Sequence, residues 1–175
     1  NMLNRVTKAP RLPFTVILGG AKVSDKISVI DNLKQKANTF VIGGGMAATF
    51  YRALGYSTGA SLVEEEQVEI TSQIMREAQD RGIRLFLPED LVIAQEFTLD
   101  SAFCTVSPQE IPESWRIMDI GPLTTQRFRE ELQDCRTVMW NGPMGVFEFP
   151  AFAQGTKNLG ECIAGLPNAA TVVGG

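Results

Sequence analysis

"TVILGGAKVSDK", residues 15–26, runs from an apolar stretch into two glycines and then meets two lysines four positions apart. With Phe14 ahead of it, the apolar part predicts a strand over 14–18, continuously hydrophobic as a strand of a parallel sheet covered on both faces must be. Gly19 and Gly20 end the strand. Ile27, Ile30, Leu33 and Ala37 then recur at three- and four-residue spacing, the pattern of one helix face. The same succession repeats along the chain. "TFVI" (39–42) runs into "GGGM", "RLFL" (84–87) into "PED", "TVMW" (137–140) into "NGP", and "TVV" (171–173) into a last "GG". Between them, Ile70, Ile74 and Ala78, then Phe128 with Leu132, then Leu159 with Ile163 mark further helices. Strand alternating with helix predicts an α/β fold, a doubly wound, Rossmann-like parallel sheet in three αβα layers. Segment 91–120 breaks the alternation, where "LVIAQEF" and "SAFCTV" predict a small antiparallel pair of extra strands. In an open α/β sheet the carboxyl ends of the strands line the ligand crevice. The five turns are therefore expected to form one continuous site.

Bulk composition narrows what that site can do. The chain has 175 residues, 44% of them hydrophobic and 21% charged, enough for one domain with a real core. A net charge of −4 argues against a broad nucleic-acid footprint, so a bound anion must be held by a local device. Histidine is absent, which removes the usual neutral-pH base and the commonest metal ligand. Cys104, Cys135 and Cys162 form no C-x-x-C pattern and are expected to be reduced thiols in a cytoplasmic protein. No apolar run reaches the ~20 residues of a membrane span and no secretory signal opens the chain. The expectation is a monomer with neither nucleic acid nor membrane as partner. The chain begins at Asn1 and ends in "ATVVGG", a strand that stops on two glycines, and is expected to be a domain of a longer protein.

Lys22 and Lys26 carry the sharpest chemical signal. Four residues is just over one helical turn, so on a helix both ammonium groups point to the same side. Lysine at a helix N-terminus opposes the macrodipole, and two together call for an anion between them. A phosphate fits that requirement. "VIGGGMAATF" (41–50) also contains G-x-G-x-x-A as Gly43, Gly45 and Ala48, with Glu64, Glu65 and Glu66 about twenty positions on. That pattern is compatible with a dinucleotide, or with a glycine turn that binds nothing. The three glutamates also suit the first turn of a helix. In "MWNGPMGVFEF" (139–149), Asn-Gly-Pro predicts a turn and Gly145 a second close approach. Glu148 is an isolated carboxylate suited to a sugar diol. Trp140 and Phe149 are expected in the core. Asp119 in "MDIGP" reads as a cap, a metal ligand or neither.

Seven segments together, "ILGGAKVSDKI", "IGGGMAATF", "GASLVEEE", "LPEDLVIA", "MDIGPLT", "VMWNGPMGVFEFPAFAQGT" and the terminal "VVGG", resemble the phosphoglycerate kinase family in its C-terminal, nucleotide-binding half. The resemblance covers nearly the whole chain and makes 1–175 one nucleotide-binding domain. It implies reversible phosphoryl transfer between ATP and the carboxylate of 3-phosphoglycerate, giving ADP and 1,3-bisphosphoglycerate, with Mg²⁺ on the nucleotide. Gly19, Gly20 and Ala21 would then lie beside the adenosine, Lys22 on the nucleotide phosphates and Lys26 on the transferring group. Gly44 and Gly45 would line the adenine slot, flanked by Leu62 and Met118. Asn141 and Pro143 would follow the phosphates and sugar, and Glu148 would accept the ribose hydroxyls. Gly174 and Gly175 would begin a glycine loop leading to an Asp that holds Mg²⁺, so no metal ligand is expected within 1–175. Ile117 departs from the family, which commonly has a small residue there, usually Gly, against the adenine edge. The 3-phosphoglycerate site and the catalytic arginine would come from an N-terminal half absent here, leaving this chain inactive alone. The competing readings are an NAD-dependent oxidoreductase domain, resting on Gly43–Ala48, and a nucleotide-binding module without chemistry.

Overall fold

The computed structural model describes residues 7–175. Five parallel strands form its main sheet: β1 (Phe14–Leu18), β2 (Thr39–Ile42), β3 (Arg84–Phe86), β7 (Thr137–Asn141) and β8 (Ala170–Gly174), in the spatial order β3-β2-β1-β7-β8. The order runs outward in both directions from β1, so the topological switch point lies between β1 and β7.

Residue alternation along the strands sorts the helices into two layers. Val16 and Leu18 of β1, with Phe40 and Ile42 of β2, face α1 (Ile27–Leu33), α2 (Ala47–Ala53) and α3 (Val68–Asp80). Ile17, Val41, Val138 and Trp140 face the other way, onto Phe128 and Leu132 of α4 (Pro122–Leu132) and Leu159 and Ile163 of α5 (Gln154–Ala164). Each β1 residue is fully buried or nearly so, as the apolar run requires. The doubly wound, three-layer expectation holds.

The excursion is larger than the sequence indicates. β4 (Leu91–Ala94) pairs antiparallel with β5 (Phe103–Val106) on one side and with β6 (Arg116–Ile120) on the other, so three strands replace the expected pair. "MDI" belongs to this small sheet. The "PED" turn is also corrected. Asp90 turns away from the crevice and accepts from the amides of Leu123 (3.0 Å) and Thr124 (2.8 Å), capping α4 from a distant segment. Pro122 at the first helical turn needs no such partner, which completes the cap. Four strand ends, not five, are left to build the site.

Candidate functional site

At the switch point the turns after β1, β2 and β7 press backbone against backbone. The amides of Gly19 and Gly20 donate to the carbonyls of Asn141 and Pro143, each at 2.9 Å, and Gly44 donates to Met144 at 3.0 Å. A Cβ at Gly19 would lie 2.1 Å from the Pro143 carbonyl oxygen. Gly44 combines a φ of +67° with a would-be Cβ 2.6 Å from the Gly20 amide. The glycine pairs therefore serve the approach of three turns to one another. Their amides are spent inside the protein.

That closure also removes the dinucleotide reading of Gly43–Ala48. The amides of Gly43, Gly44 and Met46 are taken by Leu18, Met144 and Gly20 carbonyls, so they are not offered to a pyrophosphate. The fingerprint also follows β2 rather than the first strand of the unit.

Above the joined turns opens a cavity of about 760 Å³. Of the expected residues, Gly20, Ala21, Gly44, Gly45, Leu62, Ile117, Met118, Pro143 and Glu148 all line it. Two wall segments are tied together: Ala60 N–H donates to Trp115 at 2.7 Å, and Ile117 N–H to Ser61 Oγ at 2.9 Å. Val146 N–H donates to Met118 at 2.8 Å and fixes the opposite lip to the small sheet. Phe97, from the β4–β5 loop, also lines the cavity and meets Phe149 edge-on at 5.3 Å between centroids. Sequence reasoning missed Phe97, because only the third strand's closure brings that loop over the crevice. Ile117 lines the cavity, but its side chain is buried in the core shared by Ile93 and Leu91 rather than standing free in the slot.

Lys22 and Lys26 are not paired on one helical turn. α1 begins at Ile27 and spans seven residues, Lys26 is its N-cap, and Lys22 lies in the preceding irregular segment. Lys22 is exposed. Lys26 is half-buried and its Nζ donates to Asn141 Oδ1, which places it at the carboxyl end of β7. Gly174 and Gly175 stand beside the same asparagine. The Gly174 carbonyl accepts from Gly142 at 3.1 Å, and a Cβ at Gly175 would approach Asn141 Oδ1 to 3.2 Å. Trp140, in the core as expected, donates from Nε1 to the Gly142 carbonyl at 2.7 Å and braces this turn from below.

Two carboxylates take structural posts. Glu64 does not sit in a helical turn; Glu65–Gln67 form a 3₁₀ turn leading into α3, and Glu64 precedes it, 8% exposed. It accepts from Ser24 Oγ and from the Ser24 amide at 3.1 Å, while its own amide donates to Thr49 Oγ1 at 3.2 Å. Burial pushes the Glu64 carboxyl up, but hydrogen bonds from Ser24 and Val23 and the charge of Lys22 outweigh this and hold it below the ordinary value. Glu64 thus ties the lysine turn to the Leu62–Val63 wall. Asp119 is a cap: it accepts from Gly155 N–H at 2.9 Å at the start of α5, and from its own neighbour Ile120 at 2.8 Å. Burial pushes it up to about 6 against those two bonds.

A model of the phosphoglycerate kinase family matches residues 1–175. The chain belongs to that family. Phosphoglycerate kinase from Enterococcus faecalis is 50% identical over 173 residues, covering 99% of this chain and 43% of that protein. The one from Moorella thermoacetica is 48% identical over 173 residues, with 99% and 44% covered. Among solved structures, phosphoglycerate kinase from Coxiella burnetii superimposes with a TM-score of 0.96 at 36% identity, over 99% of this chain and 45% of its own. The enzyme from Pyrococcus horikoshii gives 0.83 at 29% identity, over 99% and 44%. The chain therefore spans less than half the length of the phosphoglycerate kinases it matches.

Proposed function

We propose that this chain supplies the nucleotide half-site of a phosphoglycerate kinase, in which a phosphoryl group passes between ATP and the carboxylate of 3-phosphoglycerate. The observation that carries the reading is the cavity at the switch point, lined by Gly20, Gly44, Gly45, Leu62, Met118, Pro143 and Glu148. Lys26 and Asn141 do not line it, but Asn141, which Lys26 bonds, accepts through its carbonyl from the Gly19 amide beside that lining. Leu62, Met118, Gly44 and Gly45 take the purine, with Ile117 contributing wall rather than an edge contact. Glu148 takes the ribose hydroxyls. Gly19 to Ala21 lie beside the adenosine, Lys22 holds the phosphates, Asn141 and Pro143 follow the phosphates and sugar, Gly174 and Gly175 begin the glycine loop, and Lys26 meets the group in transfer.

Phosphoryl transfer asks little covalent chemistry of a protein; it asks for alignment and for positive charge on the moving group. Lys26 donates to the neutral amide oxygen of Asn141. A phosphate oxygen is a stronger, charged acceptor, so its arrival draws the ammonium off the amide. Lys22 contacts ground and transition states alike, whereas Lys26 gains most as charge develops, the kind of contact that raises the chemical rate.

Mg²⁺ accompanies the nucleotide in this reading. Among the described residues no three Cys, Asp or Glu side chains converge to hold a metal, so these residues do not by themselves fit a protein-anchored ion. The acceptor, 3-phosphoglycerate, belongs to a second half of the enzyme, whose closure excludes water. A cytoplasmic monomer acting in glycolysis is the setting proposed. No helix among the described residues is long and apolar enough to cross a membrane.

Calorimetric titration tests the reading. ADP and ATP should bind this chain and NAD should not, and a coupled assay should find no transfer to 3-phosphoglycerate until the second half is supplied. Binding of NAD in preference to ADP would overturn it, as would transfer by residues 1–175 alone.

A further inference from the structure

The segment 21–26, which carries Lys22 and Lys26, lies outside any helix or strand. Lys26 is the N-cap of α1, but its side chain makes no capping hydrogen bond, so the donors at this end need an acceptor from elsewhere. Glu64 supplies it from 40 positions away. Its two carboxylate oxygens accept from Ser24, one from the hydroxyl and one from the amide, and the backbone of Val23 adds a further donor. Lys26 N–H then donates to the Val23 carbonyl at 2.8 Å, so the placing of the Val23–Ser24 peptide is passed directly to Lys26. On its other side Glu64 continues the cavity wall. Ala60 to Val63 all line the cavity, and the Glu64 amide is held by Thr49 Oγ1 of α2. Three carboxylates are buried among the described residues: Asp90 caps α4, Asp119 caps α5, and Glu64 alone grips the turn with the two lysines.

We propose that Glu64 is a positioning residue for phosphoryl transfer: it clamps the lysine turn to the cavity wall, so that a nucleotide seated against that wall finds Lys26 already aligned with the group in transfer. This rests on the nucleotide reading above. Lysine carries its charge on a flexible four-carbon stem, and the ammonium is only as well placed as the backbone it springs from. A carboxylate bonded to a hydroxyl and to main-chain amides together makes charge-assisted bonds, stronger than neutral ones, and so suits the task. Its charge works in the opposite sense. A carboxylate that attracts Lys22 competes with the phosphates for that ammonium, so by electrostatics alone Glu64 lowers nucleotide affinity. Geometry and charge therefore act with opposite signs, which lets one be read apart from the other.

The test is kinetic, in a full-length phosphoglycerate kinase carrying this half. Glu64→Gln keeps the size of the side chain but gives up the charge and turns one acceptor into a donor. It should lower kcat on the order of tenfold and leave KM for ATP within about threefold, the pattern of a contact that acts chiefly in the transition state. Glu64→Asp keeps the charge and loses the reach, and should lower kcat equally. Ser24→Ala, at an exposed position, should lower kcat a few-fold and Ser24→Thr should restore it. Ser24→Ala combined with Glu64→Gln should be no slower than Glu64→Gln alone, because the two side chains act as one clamp. Asp90→Asn is the control for stability. It neutralises a similarly buried carboxylate that faces away from the cavity, and should lower the thermal midpoint at least as far while kcat stays within about twofold. An unchanged kcat in Glu64→Gln and Glu64→Asp would overturn the proposal, as would a rise in KM of about tenfold with kcat spared, or an equal fall of kcat in Asp90→Asn. An unaltered enzyme that transfers nothing to 3-phosphoglycerate would instead remove the nucleotide reading itself.

Discussion

Where the turns after β1, β2 and β7 floor the cavity, backbone is locked to backbone through Gly19, Gly20, Gly44 and Gly142, whereas the far end is walled by β6 of the separate antiparallel sheet and by loops, with Leu62 and Phe97 both more than half exposed. The first region has no slack, because its turns are already closer than a Cβ allows. The second is held by a few hydrogen bonds between strands and loops and leaves its apolar faces open. In the nucleotide reading proposed above, the reacting phosphorus must be placed to a fraction of an ångström while the base needs only to be retained, and that reading puts the rigid turns where alignment matters.

The sharpest way to break this contrast is to put a methyl group into the locked end. Gly19→Ala should cost about 3 kcal/mol of stability, since the new Cβ meets a carbonyl oxygen of an equally fixed turn. Urea unfolding measures it; a loss below about 1 kcal/mol would show that the turns can part. Next comes Lys26→Ala in a full-length phosphoglycerate kinase carrying this half. Turnover should fall on the order of 10²-fold or more, with a much smaller change in nucleotide affinity, whereas Lys22→Ala should harm both. Equal affinity losses for the two variants, with turnover spared in Lys26→Ala, would remove the distinction between them.

Asp119 allows the frame beneath the cavity to be tested by pH. Its folded pKa of about 6 lies above the ordinary carboxylate value, so its proton is bound more tightly in the folded state. The stability this contributes is complete below about pH 4 and is lost as pH rises to about 6. Relative to Asp119→Asn, the native protein should lose about 3 kcal/mol across that window and stay level above it. Denaturant midpoints from pH 3.5 to 7.5 give the difference, and parallel profiles would mean that Asp119 titrates normally. A somewhat smaller effect is expected in the sugar contact. Glu148→Gln should weaken ADP and ATP alike by about 1.5 kcal/mol, the low end for a charged hydrogen bond because Glu148 is exposed. At the open end, Leu62→Ala should leave stability within about 0.5 kcal/mol and lower nucleotide affinity only a few-fold. A large stability loss there would erase the contrast altogether.

The parallel sheet was legible in the sequence because its signal is local. "FTVIL" and "TVMW" are apolar on both faces, and only a strand covered by two helix layers needs that. The turns that line the cavity were legible in the same way, since Gly20, Gly44 and Pro143 stand two residues beyond the ends of their strands. What escaped was set by contacts distant in sequence. Lys26 is aimed by Asn141, 115 positions away, rather than by helical spacing from Lys22. Glu64 looks like a helix-start acid until the Ser24 turn is seen folded over it, 40 positions back. Asp90 reads as part of a strand-end turn until α4 arrives to be capped, 34 positions on. A single glycine turn cannot reveal that another turn fills the space beside it, as happens at Gly19, Gly44 and Gly142.

Trp140 gives the molecule an internal optical reporter. Its indole nitrogen is bonded to the carbonyl of Gly142, and the intervening residue is Asn141, the partner of Lys26. When an anion draws Lys26 away, the amide of Asn141 is free to turn, and the carbonyl that polarises the indole is one peptide further along the same strand end. The emission maximum of Trp140 should therefore shift on titration with inorganic tripolyphosphate, with Trp115→Phe removing the second indole. The same titration with adenosine should leave the spectrum nearly still. Arrival of an anion at Lys26 can then be told apart from occupancy by a nucleoside, without a label.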